Sequence, residues 1–184
     1  MKVGLLGVGK VDPQVLTSLS EGLQRIYPDT ACFIVEQGLP LHERYYDKKR
    51  NQYNSTLILN EVSDFAVLHR EVFDRVLGVV DVDLYVSGLN YVFGEAYTPG
   101  CAGLISLWRL RPEFYGESRD WSVFVGRVLK EAVHEIGHTL GLPHCHHRFC
   151  VMHFSNSIFD TDKKQTLLCD DCYIQAALAV TNVG

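Results

Sequence analysis

The stretch from His134 to Cys172 reads HEIGHTLGLPHCHHRFCVMHFSNSIFDTDKKQTLLCDDC. It contains six of the eight histidines and four of the six cysteines of the 184-residue chain. Imidazole and thiolate are the side chains that bind zinc most often in proteins. Their concentration in about a fifth of the chain indicates metal binding, and the segments before it are interpreted as a scaffold.

Three histidines and a glutamate form the first candidate site. His134 and His138 are four residues apart, so on an α-helix both imidazoles lie on one face and can reach a single ion. Glu135 projects beside them, where it is poorly placed as a ligand and well placed to take a proton from a metal-activated water. We therefore predict that Glu135 is the general base of a hydrolytic reaction.

The third histidine requires a change of backbone direction. Gly141 can adopt the left-handed conformation that ends a helix, and Pro143 prevents the helix from continuing. The chain can then turn and bring His144 to the ion that the first two histidines bind. Three imidazoles and one open position are typical of a catalytic zinc site. The alternative is that these histidines lie in the core or on the surface of an ordinary helix.

The cysteines form a second candidate site. Cys145 directly follows His144, Cys150 follows after four intervening residues, and Cys169 and Cys172 form a CxxC pair. Two thiolate pairs are typical of a tetrahedral structural zinc site. Two disulfides or buried free thiols are the alternatives, and the lack of an export signal favours zinc over disulfides. We predict two zinc ions per chain, one catalytic and one structural, with the structural ion supporting the third catalytic ligand.

The order of these motifs resembles a known family. HExxHxxGxxH followed by a Met-containing turn is the signature of the metzincins. Its continuation into C-x4-C-x-M and a later CxxC is similar to the archaemetzincin family of zinc metalloproteases. The resemblance implies that Met152 forms the Met-turn, an apolar floor beneath the three histidines. It also implies zinc-dependent hydrolysis of a peptide or protein substrate. The upstream segments YNST and VFGEA look more diffusely similar to the family.

Two other functions are compatible with parts of the motif. A non-catalytic, zinc-dependent module that binds peptides or proteins could retain every metal ligand, but it has no need of Glu135. A zinc-ribbon interaction domain that used only the cysteines would leave the histidines unexplained. The zinc-peptidase prediction is the one that accounts for the residues of both sites.

Composition and charge exclude several other classes. The formal net charge is −5, so no basic surface points to a nucleic-acid partner. No apolar run approaches the roughly 18 residues of a membrane span. The N-terminal stretch MKVGLLGVGKVDPQ lacks the apolar core and cleavage site of a signal peptide. We expect a cytoplasmic monomer with no nucleic-acid or membrane partner.

The predicted fold class is α/β. The Val- and Leu-rich segment from Lys2 to Val8 predicts a buried strand, and Asp12 before Pro13 predicts a helix start. A helix over 13–26 followed by a strand over 31–35 implies a parallel pair. We expect a metzincin-like zinc-peptidase domain with a mixed, mostly parallel twisted sheet, helices, and a small C-terminal subdomain held by the four-cysteine zinc site.

The middle of the chain carries weaker signals. Residues 37–54 are polar and are interpreted as a surface loop. Residues 55–69 return to helical spacing. The candidates for the buried side of that helix are Leu57, Leu59, Val62, Phe65 and Leu68. Asp81 and Asp83 could form a carboxylate pair, but they are better interpreted as marking a strand end with one solvated face.

The strongest helical pattern leads into the metal motif. Ser118 or Asp120 can cap a helix whose apolar residues recur at spacings of three and four up to Leu140. His134 and His138 lie off this apolar stripe. We therefore expect one side of the helix to enter the core and the other to face a cleft.

Two segments are expected to line that cleft. Asn90–Tyr97 predicts a short strand, and the resemblance to metzincins suggests the edge strand along which an extended peptide would add in antiparallel orientation. An ordinary edge or hairpin strand is the alternative. Lys130 and Glu131, one turn before His134, are interpreted as ion-pairing residues of the cleft wall.

We predict one metalloprotease domain over residues 1–184. Its upper subdomain spans 1–141 and contains the sheet and the active-site helix. Its lower subdomain spans 142–184 and contains the third histidine, the Met-turn and the cysteines. The cleft between them is expected to hold the catalytic zinc.

Overall fold

The structure is a computed structural model that describes residues 1–181. Over this range the chain forms eight strands and five α-helices. In chain order they are β1 (Lys2–Val8), α1 (Pro13–Ile26), β2 (Ala31–Ile34), β3 (Tyr46–Asp47), β4 (Gln52–Asn54), α2 (Ser55–Leu68), β5 (Arg75–Val80), β6 (Leu84–Tyr85), β7 (Gly94–Ala96), β8 (Ala102–Ser106), α3 (Trp121–Thr139), α4 (Ile158–Lys163) and α5 (Asp170–Thr181).

Five strands form the main sheet, in the order β2-β1-β5-β8-β7. The pairs β1–β2, β1–β5 and β5–β8 are parallel, whereas β7 runs antiparallel to β8 and lies at the edge. Strands buried on both faces are expected to be continuous apolar runs, as in the LLGV end of β1 and the VLGVV of β5. The predicted mixed, mostly parallel sheet is confirmed.

Helices cover both faces of this sheet. Alternate residues of a strand point to opposite faces. Val3 and Leu5 of β1 therefore join a core with α1 and α3, while Leu6 and Val8 join a second core with α2. Asp12 caps α1 as predicted, because its carboxylate accepts a hydrogen bond from the backbone N–H of Gln14 at 2.9 Å.

The predicted buried face of α2 is partly wrong. Leu59 and Val62 are fully buried, but Leu68 is 80% exposed and Leu57 is 41% exposed. Ile58 and Ala66 are buried instead. The sequence STLILNEVSDFAVL is apolar on most sides of the helix, so its spacing does not determine which stripe meets the sheet. Contact with β5 and β8 decides this.

The segment predicted as a surface loop contains a small second sheet. Its strand order is β3-β4-β6. The backbone N–H of Tyr53 donates to the carbonyl of Asp83 at 2.8 Å, which joins the two parts of the chain. The β4–β6 pair forms between distant segments, so local polarity gave no sign of it.

Asp81 and Asp83 lie at the carboxyl end of β5 and bind separate arginines. Asp81 accepts two hydrogen bonds from Arg111, both at 2.6 Å, and Asp83 accepts two from Arg109 at 2.6 and 2.7 Å. Bidentate pairs of this kind fix the loop after β8. The two aspartates therefore do not form a carboxylate pair. None of the described helices is long and apolar enough to cross a membrane.

Candidate metal centres

Helix α3 positions the first two histidines and the glutamate. Its N-cap is Asp120, whose carboxylate accepts from the N–H of Val123 at 3.0 Å. The apolar stripe predicted for this helix enters the core through Val128, Ala132 and Ile136. An α-helix has 3.6 residues per turn. His134, Glu135 and His138 therefore lie beside the apolar stripe, at the border between the core and a cleft.

The backbone turn that the third histidine needs is present. Gly141 has a φ of +90°, a left-handed conformation that glycine adopts without steric cost. The N–H of Leu142 donates to the carbonyl of Gly137 at 3.1 Å, closing the end of α3. The chain then reverses and brings His144 back beside His138.

The three imidazoles are spaced as ligands of one ion. Nε2 of His138 lies 3.1 Å from Nε2 of His134 and 3.3 Å from Nε2 of His144. The three ligand atoms lie within 4.8 Å of one another. In tetrahedral zinc sites the Zn–N distance is about 2.0–2.1 Å, which places ligand nitrogens about 3.3 Å apart. The residues therefore fit a zinc ion.

Hydrogen bonds fix which ring nitrogen faces the centre. Nδ1 of His134 lies 2.9 Å from the carbonyl oxygen of Val151, and Nδ1 of His138 lies 2.8 Å from that of Leu142. A carbonyl only accepts, so each Nδ1 carries the proton and each Nε2 keeps its lone pair. Burial lowers the pKa of His134 well below its usual value, and lowers that of His138. Both imidazoles are therefore neutral near pH 7, the form that binds metal.

Glu135 lies beside this centre in the cleft wall. Its side chain is buried, and desolvation raises its pKa well above the usual value, with the nearby Glu131 carboxylate adding to the effect. Gly94 of β7 allows the close approach of its carboxylate: a Cβ at residue 94 would lie 2.5 Å from Oε1 of Glu135. The edge strand and Glu135 are thus in direct contact.

The four cysteines predicted as a cluster come together. The Sγ atoms of Cys145, Cys150, Cys169 and Cys172 lie within 4.8 Å of one another. None of them is in a disulfide. Sγ of Cys145 lies 3.7 Å from Sγ of Cys169, close to the roughly 3.8 Å that a tetrahedral four-thiolate zinc site gives at a Zn–S distance of about 2.3 Å. The donor set and spacing fit a structural zinc ion.

Short contacts join the two centres. The N–H of Cys145 donates to the carbonyl of Met152 at 2.9 Å, and Nδ1 of His153 lies 2.8 Å from the carbonyl of Cys145. Met152 is fully buried, and its sulfur lies against Gly137 of α3, where a Cβ would clash with it. The turn that contains Met152 therefore lies against the helix between the first two histidines.

A cleft of about 520 Å³ opens onto the three histidines and Glu135. One wall is the chain from residue 89 through β7, and another is the segment 154–156 that follows the Met-containing turn. Glu95 of β7 lines the cleft and accepts hydrogen bonds from Ser55 and Thr56 at the start of α2. The predicted edge strand is confirmed, but it is shorter than Asn90–Tyr97.

One cleft residue was not predicted from the sequence. Lys164 lines the cleft and pairs with Glu131, with Nζ and Oε1 3.7 Å apart. The ion pair predicted for Glu131 is therefore present. Lys130, predicted to pair as well, instead donates to the carbonyls of Thr161 and Asp162. Within the charged run TDKKQ, nothing marks the second lysine as the buried one.

A family model described as peptidase family M54 matches residues 25–177 of the chain. The chain belongs to this peptidase family. An archaemetzincin from Methanocaldococcus jannaschii is 44% identical over 173 residues, covering 94% of this chain and 90% of that protein. An archaemetzincin from Pyrococcus furiosus is 44% identical over 168 residues, covering 90% and 86%.

Solved structures agree with this family. An archaemetzincin from Archaeoglobus fulgidus, crystallised with malonate, has a TM-score of 0.80 at 35% identity and covers 95% of this chain and 99% of its own. An archaemetzincin from Methanopyrus kandleri has a TM-score of 0.83 at 32% identity, covering 98% and 96%. The predicted fold, the archaemetzincin family and the enzyme class are confirmed: the chain is a zinc metalloprotease that acts on peptides or proteins.

Proposed function

We propose that His134, His138 and His144 hold the catalytic zinc and that Glu135 is the general base of peptide-bond hydrolysis. One observation supports this assignment above the others. Three Nε2 atoms converge within 4.8 Å of one another, and a buried carboxylate lies beside them in the same cleft. A bound zinc ion supplies a Lewis acid that polarises the scissile carbonyl and lowers the pKa of water to about 7.

The protein's own groups then have defined tasks. Glu135 takes the proton of the attacking water and can hand it to the leaving amine. Glu135 lies against Gly94 of the edge strand, so its carboxylate is close to any peptide that lies along β7. Among the described residues, no other strand of the main sheet pairs with the outer edge of β7, so an extended substrate can add there through main-chain hydrogen bonds.

We further propose that the four cysteines bind a structural zinc ion, which makes two zinc ions per chain. The whole chain then forms one peptidase domain, with the cleft between residues 1–141 and 142–184. In this proposal the Met152 turn links the histidine centre to the cysteine centre, because the N–H of Cys145 donates a hydrogen bond to the carbonyl of Met152. Family membership favours peptidase activity over the non-catalytic binding module.

Metal removal tests this proposal. We expect two zinc ions per chain by elemental analysis, cleavage of a mixed peptide library by the zinc-loaded protein, and loss of cleavage after a chelator removes the histidine-bound ion. Adding back one equivalent of zinc should restore cleavage. The proposed catalytic centre is wrong if the His138→Ala variant retains both zinc ions, or if zinc-loaded wild-type protein leaves the whole library intact.

Substitution of Gly94 tests the contact between the edge strand and Glu135. In Gly94→Ala the new methyl group must displace the carboxylate, and a shift of about 1 Å in a catalytic group can cost on the order of 100-fold in rate. We expect peptidase activity to fall by at least about tenfold with zinc content unchanged. Gly126→Ala in α3 is the matched control, because a Cβ there meets nothing within 4 Å; equal activity of the two variants would contradict the prediction.

A further inference from the structure

A buried ion pair forms the floor of one end of the cleft. Glu131 and Lys164 both line the cleft, yet their side chains are only 4% and 1% exposed. Glu131 precedes Glu135 by four residues, about 6 Å along α3. The pair therefore lies roughly one side-chain length from the proposed reaction centre, and the proposed peptidase chemistry does not use it.

Contacts along α3 show which part of the edge strand faces this floor. Gly100 donates to the carbonyl of Thr139 at 3.1 Å, and Gly94 lies against Glu135. The edge segment therefore runs toward the carboxyl end of the helix as its residue numbers rise. Phe93 and Tyr91 precede Gly94 and lie toward Glu131.

A hydrogen bond joins the two walls of the cleft at this end. The hydroxyl of Tyr91 donates to the carbonyl of Asn156 at 2.8 Å, joining the edge segment to the segment after the Met152 turn. The guanidinium of Arg109 lies 4.2 Å from the centre of the Tyr91 ring and holds it in place. Tyr91, Asn156, Glu131 and Lys164 all line the cleft, and the space between the bridge and the ion pair forms a pocket within it.

The polar groups of this pocket have spare hydrogen-bonding capacity. An ammonium has three donors, but Nζ of Lys164 makes a single hydrogen bond within residues 1–181, to the carbonyl of His153 at 3.1 Å. Thr161 donates to Oε1 of Glu131 at 3.1 Å, and Oε2 receives no donor from the described residues. Oγ of Ser155, in the pocket wall, is buried and has no hydrogen-bond partner among residues 1–181.

We propose that this pocket binds a carboxamide side chain, glutamine above all, at one of the two substrate residues that flank the scissile bond, with Lys164 and Glu131 as the residues that determine specificity. The inference rests on the proposed function. A carboxamide carries an acceptor and a donor side by side. Its oxygen matches the ammonium of Lys164, and its NH2 group matches Oε2 of Glu131.

Other side chains of similar length fit this floor less well. A glutamate side chain would bring a carboxylate against Glu131, and Glu135 and Glu95 line the same cleft. A lysine side chain would bring a second ammonium against Lys164. Methionine would cover both charged groups without bonding to either, and sites built to hydrogen-bond a substrate strongly reject analogues that lack the group.

A matched peptide series tests this proposal. In a peptide that the zinc-loaded protein cleaves at one bond, each flanking residue is replaced in turn by Gln, Glu, Met and Lys. At one of the two positions we expect kcat/KM for Gln to exceed that for each of the other three by about tenfold or more, as for hydrogen bonds to charged groups. Rates within threefold at both positions, or a best substrate with Glu or Met, would overturn the proposal.

Two variants assign the preference to the ion pair. Lys164→Met should abolish the preference for Gln over Met, measured as the ratio of the two kcat/KM values. Glu131→Gln should raise the ratio of the Glu to the Gln peptide by about tenfold, because it removes the opposing charge. If the Gln preference survives in a folded Lys164→Met protein, the assignment is wrong; if that variant is unfolded by circular dichroism, the Glu131→Gln ratio decides.

Binding separates this inference from the peptidase proposal. The zinc-loaded Glu135→Ala protein should bind the Gln peptide about tenfold more tightly than the Met peptide in fluorescence anisotropy. That ordering in a wild-type protein that cleaves nothing would sink the peptidase proposal and keep the pocket assignment. If the wild-type protein cleaves peptides but the Glu135→Ala protein binds the Gln and Met peptides equally, the pocket assignment is wrong and the peptidase proposal stands.

Discussion

Replacing Cys169 and Cys172 by serine is expected to remove at least one zinc ion per chain, to unfold the C-terminal part, and to abolish peptidase activity. Structural zinc contributes on the order of 10–16 kcal/mol to the folding of small zinc-finger peptides. The net stability of a domain is only about 5–15 kcal/mol. Loss of the ion therefore removes free energy comparable with the whole stability of the fold.

The position of the cluster explains why activity should be lost as well. Cys145 directly follows His144, and its N–H donates to the carbonyl of Met152. Helix α5 begins within the CxxC pair and buries Ala176 in the main core. When the cluster opens, the third histidine loses its anchor, so we expect the histidine centre to bind zinc weakly too.

Elemental analysis and thermal melting by circular dichroism measure this effect. The matched control is Cys32→Ser with Cys101→Ser, two partly buried cysteines outside the cluster. Burial raises the pKa of Cys32 to about 11, so it is a thiol rather than a metal-binding thiolate near pH 7. The control should keep two zinc ions. A double variant at 169 and 172 with wild-type zinc content and melting temperature would refute the structural role.

The histidine cluster could be predicted because its geometry is local. His134 and His138 share a helix face because they are four residues apart, and Gly141 is the residue type that a left-handed turn favours. Asp12 and Asp120 cap their helices for the same local reason. In each case a few neighbouring residues determine both the conformation and the chemistry.

Features that depend on distant partners could not be predicted. Leu68 fits the periodicity of α2 and yet is exposed, because the sheet contacts another stripe of a helix that is apolar on most sides. Lys164 sits in a charged run typical of a solvated turn, and only its approach to Glu131 buries it. The part of the cleft between Tyr91 and the ion pair brings together residues 91, 131, 155, 156 and 164, and no spacing rule connects them.

Glu135→Gln is expected to lower kcat by about 10²–10⁴-fold, the usual contribution of a general base. Glutamine has nearly the shape of glutamate, but it cannot accept the proton of the attacking water. The side chain is not among the predicted ligands, so both zinc ions should remain bound. Unlike His138→Ala, this variant therefore separates loss of chemistry from loss of metal.

The same substitution should stabilise the metal-free protein near neutral pH. The pKa of Glu135 in the fold is raised above its unfolded value, chiefly by burial, so its charged form opposes folding. This penalty is fully present above the folded pKa and disappears as the pH falls below the unfolded pKa of about 4.3. The melting temperature of metal-free Glu135→Gln should therefore exceed that of the wild type at pH 7.5, and the two should converge at pH 4.

These two measurements must agree for Glu135 to hold the role proposed. Catalytic groups are often held in environments that cost stability, and the cost is recovered when the group is neutralised. Activity within threefold of wild type would show that another group takes the proton. If activity falls and the melting temperature of the metal-free variant at pH 7.5 also falls below that of the wild type, the buried carboxylate instead supports the fold.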